Sequence, residues 1–257
     1  MSAESVPFAW QDLDARLRVA VFGSGGGIGS ALVDALLARP GVAAVHALSR
    51  PGREANPGHS DEQGRLRRIG VDIDCDESLA AAARDVGGPL DLVIVASGTL
   101  HTKSFRPERR ISDLDAATML EVFRINTVAP ALVGKHYLPL LRKDRAAVFA
   151  ALSARVGSIG DNRLGGWTSY RASKAALNMV LRNFAIEQAR TRPQTIVVGL
   201  HPGTVDTQLS KPFAGRVPPE QLFTPERSAA HLLSVIDGLG PGDSGAVFAW
   251  DGQRVPC

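Results

Sequence analysis

Leu17-Arg18-Val19-Ala20-Val21-Phe22-Gly23-Ser24-Gly25-Gly26-Gly27-Ile28-Gly29 is the stretch that decides the fold. Its first six residues are apolar apart from Arg18, which reads as a buried strand. Five glycines then crowd into seven residues. A backbone without Cβ can turn sharply and let a ligand come close. From 28 to 38 the apolar positions follow helical spacing, and Pro40-Gly41 ends the segment. A strand, a glycine turn and a helix in this order aim free N–H groups and the positive end of a helix dipole at one point. That point suits a pyrophosphate. The segment therefore predicts the first turn of a dinucleotide-binding α/β fold.

Outward from it, short apolar runs alternate with longer amphipathic ones. Further strands are expected at 42–49, 66–71, 90–97, 146–152, 195–200 and 245–250. Helices are expected at 78–86, 114–141, 169–190 and 224–236, the last opened by the cap and first-turn proline of Thr224-Pro225-Glu226. Pro130 and Pro139 mark breaks or first-turn positions within 114–141. The segments 51–64, 102–111 and 202–219 read as loops, the second of them basic. Repeated alternation predicts one α/β domain of Rossmann type. Its sheet is doubly wound, parallel and seven-stranded, with helices on both faces. The domain takes in 1–257, with a core of about 17–250.

The composition is that of an ordinary globular protein, 44% hydrophobic and 21% charged over 257 residues. A net charge of +3 is too small to argue for nucleic acid, and Arg65, Arg67 and Arg68 read as a solvated face. Cys75 and Cys257 form no disulfide framework and no metal-ligand spacing, so no metal is expected. The first 18 residues carry Glu4, Asp12 and Asp14 without an apolar stretch, unlike a secretory signal. No uninterrupted apolar run approaches the roughly 20 residues needed to span a bilayer. A cytoplasmic protein without membrane or nucleic-acid partners is expected.

The chemistry is carried by Tyr170 and Lys174, four apart and so on one face of a helix. A phenol titrates near 10 and needs help to move protons at neutral pH. An ammonium beside it favours the phenolate and is expected to lower that pKa. At the end of the second strand the dinucleotide fold meets the adenosine ribose. Here the strand ends in Ser49 and Arg50 with no acid, which favours a 2′-phosphate, hence NADP(H) over NAD(H).

With these motifs in order, the chain resembles the short-chain dehydrogenase/reductases over nearly its whole length, from Leu17 to about Trp250. The segment Phe22 to Gly29 is similar to that family's glycine motif, with Phe22 in place of its Thr. The resemblance implies that Gly23, Ser24, Gly27, Ile28 and Gly29 hold the cofactor. It gives the same role to Asp72 and Ile73 at the adenine, and to Ala96, Ser97 and Gly98 after the fourth strand. Pro202, Gly203, Val205 and Thr207 would hold the nicotinamide carboxamide. It also implies a catalytic set of Tyr170, Lys174, Asn126 and a serine, with Tyr170 and Lys174 touching the cofactor as well. The run 155–167 resembles the C-factor and sniffer-like carbonyl reductase branch. The implied reaction is NADPH-dependent reduction of a small carbonyl substrate to an alcohol, or its reverse; the family implies a homodimer or homotetramer, and its sniffer-like branch also includes monomers.

Two departures stand out. The family's Asn-Asn-Ala-Gly is Val95-Ala96-Ser97-Gly98. Its Ser-Ser-x-x-Gly is Ser153-Ala154-Arg155-Val156-Gly157, which puts Ala154 where the catalytic serine belongs. Ser153 is taken as the nominal serine, with Ser158 as the other candidate. The vacancy feeds an alternative, a weakly active or silent dinucleotide-binding protein with a regulatory or signalling role. Sugar-nucleotide epimerases share Tyr-x-x-x-Lys but usually carry a larger C-terminal domain. Leu209, Pro212, Phe213 and Val217 are expected in an apolar lid, and His101 and Trp167 beside the substrate.

Overall fold

The strand that precedes the glycine turn, β1 (Leu17–Phe22), lies near the middle of a parallel sheet. The structure is a computed structural model that describes residues 16–52, 63–214 and 218–256. The strands that follow are β2 (Val42–Ser49), β3 (Leu66–Gly70), β4 (Leu92–Val95), β5 (Ala147–Leu152) and β6 (Thr195–His201). After them come the short β7 (Thr204–Val205) and β8 (Leu222–Phe223), which pair with each other, and β9 (Val247–Ala249). The main sheet runs β3-β2-β1-β4-β5-β6-β9, seven strands, all parallel. The expected fold class is the observed one.

Both faces are covered, which explains why the central strands are apolar without alternation. On one face Val19, Val21, Ile94, Val148 and Val198 pack with α1 (Gly27–Leu37). On the other, Phe22, Val93, Val95, Phe149 and Val197 pack with α2 (Asp76–Val86) and with the helices of the segment 116–191. The edge of the Phe22 ring meets Tyr137, centroids 4.7 Å apart.

The helix expected over 114–141 is interrupted. It consists of α3 (Ala116–Phe123), a π turn (Arg124–Val128), α4 (Ala129–Tyr137) and a 3₁₀ turn (Leu138–Leu140). Pro130 has no N–H to bond the carbonyl of Asn126 four residues back, so the α pattern cannot continue there. The chain widens into a π turn, a feature common at functional sites. By length and mean hydropathy the run Ala116–Leu140 would suffice to cross a bilayer, although Glu121, Arg124 and Lys135 interrupt its apolar residues. In this fold it packs instead against α5 (Thr168–Thr191), where the Thr127 hydroxyl donates to the Ser173 carbonyl at 2.8 Å. The short α6 (Lys211–Ala214) interrupts the expected 202–219 loop, and α7 (Pro225–Asp237) covers the same face as α1.

Strand order reverses direction between β1 and β4, and ligands of open α/β sheets bind at such a point, outside the carboxyl ends of the strands. The glycine turn leaves β1 there, and residues 96–98 leave β4 there.

Candidate active site

The glycine turn is closed on itself and on β4. Gly23 has φ +74°, and a Cβ on it would lie 2.9 Å from the amide nitrogen of Ser97. A Cβ on Gly29 would lie 2.1 Å from the Gly23 carbonyl oxygen, so no side chain fits between turn and helix. Ser24 is buried and its N–H donates to the Leu48 carbonyl; Ile28 packs on the core. Thr207 reaches over the turn, its methyl 2.9 Å from where a Gly27 Cβ would sit. The structure thus joins residues some 180 positions apart in the chain into one rim. Pro202 is held by α7, whose Ser228 hydroxyl donates to its carbonyl at 2.9 Å. Gly203 (φ +78°) and buried Val205 continue that segment beside Phe223.

At the far end of the crevice, Ser49 is the buried last residue of β2 and Arg50 is exposed. Arg124 takes up the neighbouring acids, pairing with both Asp74 and Glu121. Asp72 is exposed and accepts from the Asp74 N–H at 3.1 Å, a local turn, while Ile73 packs against the core. Ala96, Ser97 and Gly98 line the β4 side, and the Ser97 hydroxyl is buried with no hydrogen-bond partner among the described residues.

Lys174 joins the set: it meets Asn126 at Gly98 and has the Tyr170 ring on its other side. A Cβ on Gly98 would lie 3.4 Å from the Asn126 carboxamide oxygen and 3.6 Å from Lys174 Nζ. The Lys174 ammonium lies 5.9 Å from the centre of the Tyr170 ring and donates to the Leu152 carbonyl at 2.8 Å. Asn126 is fully buried. Its carboxamide clamps Thr99, accepting from its N–H and donating to its carbonyl at 2.8 Å each, and also donates to the Ser173 hydroxyl. The expected sign of the phenol shift is reversed: burial pushes Tyr170 up to about 12. Burial pulls Lys174 down to about 8. Loss of water around the pair outweighs the pull of an ammonium that lies nearly 6 Å from the centre of the Tyr170 ring.

The serine position is resolved by α5. The Ser153 hydroxyl donates to the Asn178 side-chain oxygen at 2.6 Å, tying the end of β5 to the helix one turn beyond Lys174. The backbone stays extended through Ala154 (φ −149°, ψ 144°), so Ala154 leaves on the opposite side from Ser153. The Ser158 hydroxyl accepts from the Asp161 N–H at 3.0 Å.

Two groups, Asn178 and Glu108, were invisible as site residues in the sequence, while His101 was expected beside the substrate. Asn178 completes a row Tyr170, Lys174, Asn178 at spacings of four, which was the available signal. Glu108 is buried and accepts from the N–H and the hydroxyl of Ser169, placing a carboxylate at the start of α5 beside Tyr170. His101 Nε2 lies 3.2 Å and 3.1 Å from the carbonyls of Gln208 and Leu209, which ties the loop after β4 to the loop after β7. Beside Tyr170, whose ring meets Trp167 edge-on at 6.4 Å, opens a cleft of about 800 Å³ lined by His101, Trp167 and Pro212 among others. Val217 and the Phe213 side chain, expected in a lid, lie outside the described residues.

Comparisons with known proteins show the family and the fold. A family model described as short chain dehydrogenase matches residues 18–216. A Rhodococcus sp. 1-hydroxy-2-glutathionyl-2-methyl-3-butene dehydrogenase is 37% identical over 186 residues, 71% of this chain and 76% of that protein. The C-signal protein of Myxococcus xanthus is 36% identical over 170 residues, 66% of this chain and 93% of its own. Among solved structures, an NADPH-bound carbonyl reductase from chicken fatty liver superposes with a TM-score of 0.77 at 28% identity, covering 95% of this chain and 99% of its own. A glycine turn at the switch point, a Tyr/Lys pair beside it and a match over most of the chain place this protein in the short chain dehydrogenase family of oxidoreductases.

Proposed function

We propose that the protein is an NADPH-dependent reductase of a small carbonyl compound. The observation that carries this is the meeting of Lys174 and Asn126 at Gly98, with Tyr170 beside Lys174 and a glycine cradle that has no room for a side chain. The residues fit a dinucleotide: the cradle leads into the N-terminus of α1, where a Cβ would have no room, and the orphan Ser97 hydroxyl offers a buried donor. Gly23, Ser24, Gly27 and Gly29 would hold the pyrophosphate; Asp72 and Ile73 the adenine; Pro202, Gly203, Val205 and Thr207 the nicotinamide end. When bound, the cofactor supplies a hydride. Tyr170, protonated at neutral pH, donates its proton to the alkoxide that forms on the substrate. Lys174 stabilises the resulting phenolate. Asn126 fixes the backbone of Thr99 under the site.

Arg50 favours NADPH because Glu121, whose carboxyl feels the Arg50 charge, is itself paired with Arg124, and Arg50 stays exposed at the end of β2. Arg50→Ala is expected to weaken NADPH binding about tenfold to hundredfold and to leave NADH binding nearly unchanged, measured by fluorescence titration. Equal losses for both cofactors would remove Arg50 from 2′-phosphate recognition.

In this reading the oxyanion position holds Ala154, and Ser153 braces α5 through Asn178. Ala154→Ser is expected to raise turnover at least about tenfold, since one such donor is typically worth 10²-fold or more. Unchanged turnover with a correctly folded variant would show that the position already has a donor. The same observation supports a second reading, a dinucleotide-binding protein with little turnover. Tight NADPH binding with no oxidation across a panel of aldehydes, ketones and quinones would select it. Self-association is part of the first reading, because Leu120, Val128, Met179 and Ile186 stand exposed on α3, the π turn and α5. Light scattering showing a dimer or tetramer is the expected result, and a monomer at micromolar concentration rules it out.

A further inference from the structure

The cleft beside Tyr170 is unbalanced in charge. Two carboxylates line it, and both are engaged by other groups. Glu108 accepts from Ser169, and Asp113 accepts from the backbone N–H groups of Arg109 and Arg110, at 3.0 Å each. Three cations line it as well: Lys103, Arg106 and Arg109. All three are exposed, and among the described residues none is paired with a carboxylate. The loop therefore holds its own acids in backbone hydrogen bonds and leaves its cations facing the cleft.

The floor is built with some strain. Gly165, Gly166 and Trp167 are consecutive left-handed residues, with φ of +62°, +64° and +51°. That conformation is an outlier for a bulky side chain and persists only where the surroundings enforce it. Here the Trp167 backbone N–H donates to the Glu108 carbonyl at 2.6 Å, so the residue that engages Ser169 also holds the Trp167 main chain in place. The indole lines the cleft and meets the Tyr170 ring.

We infer that this cleft takes the anionic end of the substrate: a carbonyl compound that carries a carboxylate or phosphate group away from the reacting carbon. This rests on the reductase reading above. The carbonyl sits at Tyr170, the carbon frame lies along Trp167, and the anion meets Lys103, Arg106 and Arg109. Guanidinium forks match carboxylate and phosphate oxygens two at a time, and an ammonium adds a point charge. The cleft is of a size usual for small-ligand sites.

The test is steady-state reduction by the full-length protein with NADPH and three aldehydes: benzaldehyde, 4-formylbenzoate and 4-formylphenyl phosphate. At low salt, kcat/KM for at least one anionic aldehyde is expected to exceed that for benzaldehyde by about tenfold, since several exposed charge contacts of modest strength multiply. The gain should lie in KM and shrink as salt rises. The triple variant Lys103→Glu, Arg106→Glu, Arg109→Glu should invert the order. Arg106→Gln alone, with its melting temperature checked, should lower the ratio in part. A second measurement is calorimetric binding of 4-(hydroxymethyl)benzoate against benzyl alcohol, wild type against the triple variant. Reduction of all three aldehydes with equal kcat/KM, or a ratio unmoved by charge reversal, overturns the anion site and leaves the reductase reading standing. Charge-dependent binding without any turnover keeps the anion site and overturns the reductase reading.

Discussion

Tyr170→Phe is expected to lower carbonyl reduction by about 10³-fold, within the range that a positioned general acid contributes. NADPH should still bind, as followed by nucleotide fluorescence. The substitution removes one oxygen and keeps the ring that meets Trp167, so the local packing survives. The direction of catalysis gives the argument its force. With burial holding the phenol up to about 12, Tyr170 carries its proton throughout the neutral range and is poised as a donor. Lys174, held down to about 8, is the group that titrates in the working range. Its ammonium form is present below that pH and is lost above it. The phenolate formed by proton donation then loses its counter-charge. The kcat/KM for reduction is accordingly expected to be flat below about pH 8 and to decline above it. A Tyr170→Phe variant with a rate near wild type would mean that another group supplies the proton, and a profile flat to pH 10 would remove Lys174 from the reaction.

Asp91→Ala is expected to cost about 3 kcal/mol of folding stability, read as a lower midpoint in urea with an unchanged slope. Asp91 is fully buried just ahead of β4, at the opposite end of that strand from the site. Its carboxylate accepts from the Arg18 N–H at 2.9 Å and from Arg145 Nη2 at 2.7 Å, and it pairs with Arg142 at 2.9 Å. Its removal takes the carboxylate from the Arg18 N–H and from Arg145, while Arg142 keeps its pair with Asp144 at 3.0 Å. Both arginines keep some contact with solvent, which holds the estimate at the lower end for a buried pair. The measurement also separates stability from chemistry. The variant, where folded, should reduce substrate normally, because the network lies a full strand length from Tyr170. A loss of 1 kcal/mol or less would mean that water replaces the carboxylate without penalty.

Nearly all of the sheet could be read in the chain because its strands are buried on both faces and their neighbours are close in sequence order. Val19, Val21, Ile94, Val148 and Val198 need no partner to be recognised as core. The glycine turn was equally legible, since only glycine satisfies Gly23 and Gly29 at their observed separations. The helix over 114–141 was read as one segment with two proline marks; the π turn at 124–128 follows from the missing N–H of Pro130, yet its exact form depends on Asn126 clamping Thr99. The phenol shift was assigned the wrong sign. Spacing brings Tyr170 and Lys174 to one face, but the balance between an ammonium's pull and the loss of water is a property of the packed site.

Periodicity and local backbone requirements thus determined, from the sequence by itself, a parallel dinucleotide-type sheet and the pairing of Tyr170 with Lys174, because each depends on residues within about one helical turn or one strand. Only the tertiary structure decided that the Ser153 hydroxyl donates its hydrogen bond to Asn178, that Glu108 anchors the Trp167 backbone and Ser169, and that Lys103, Arg106 and Arg109 line one cleft. Those are questions of which polar group reaches which partner first. The answer is set by distances across the fold that no spacing along the chain encodes.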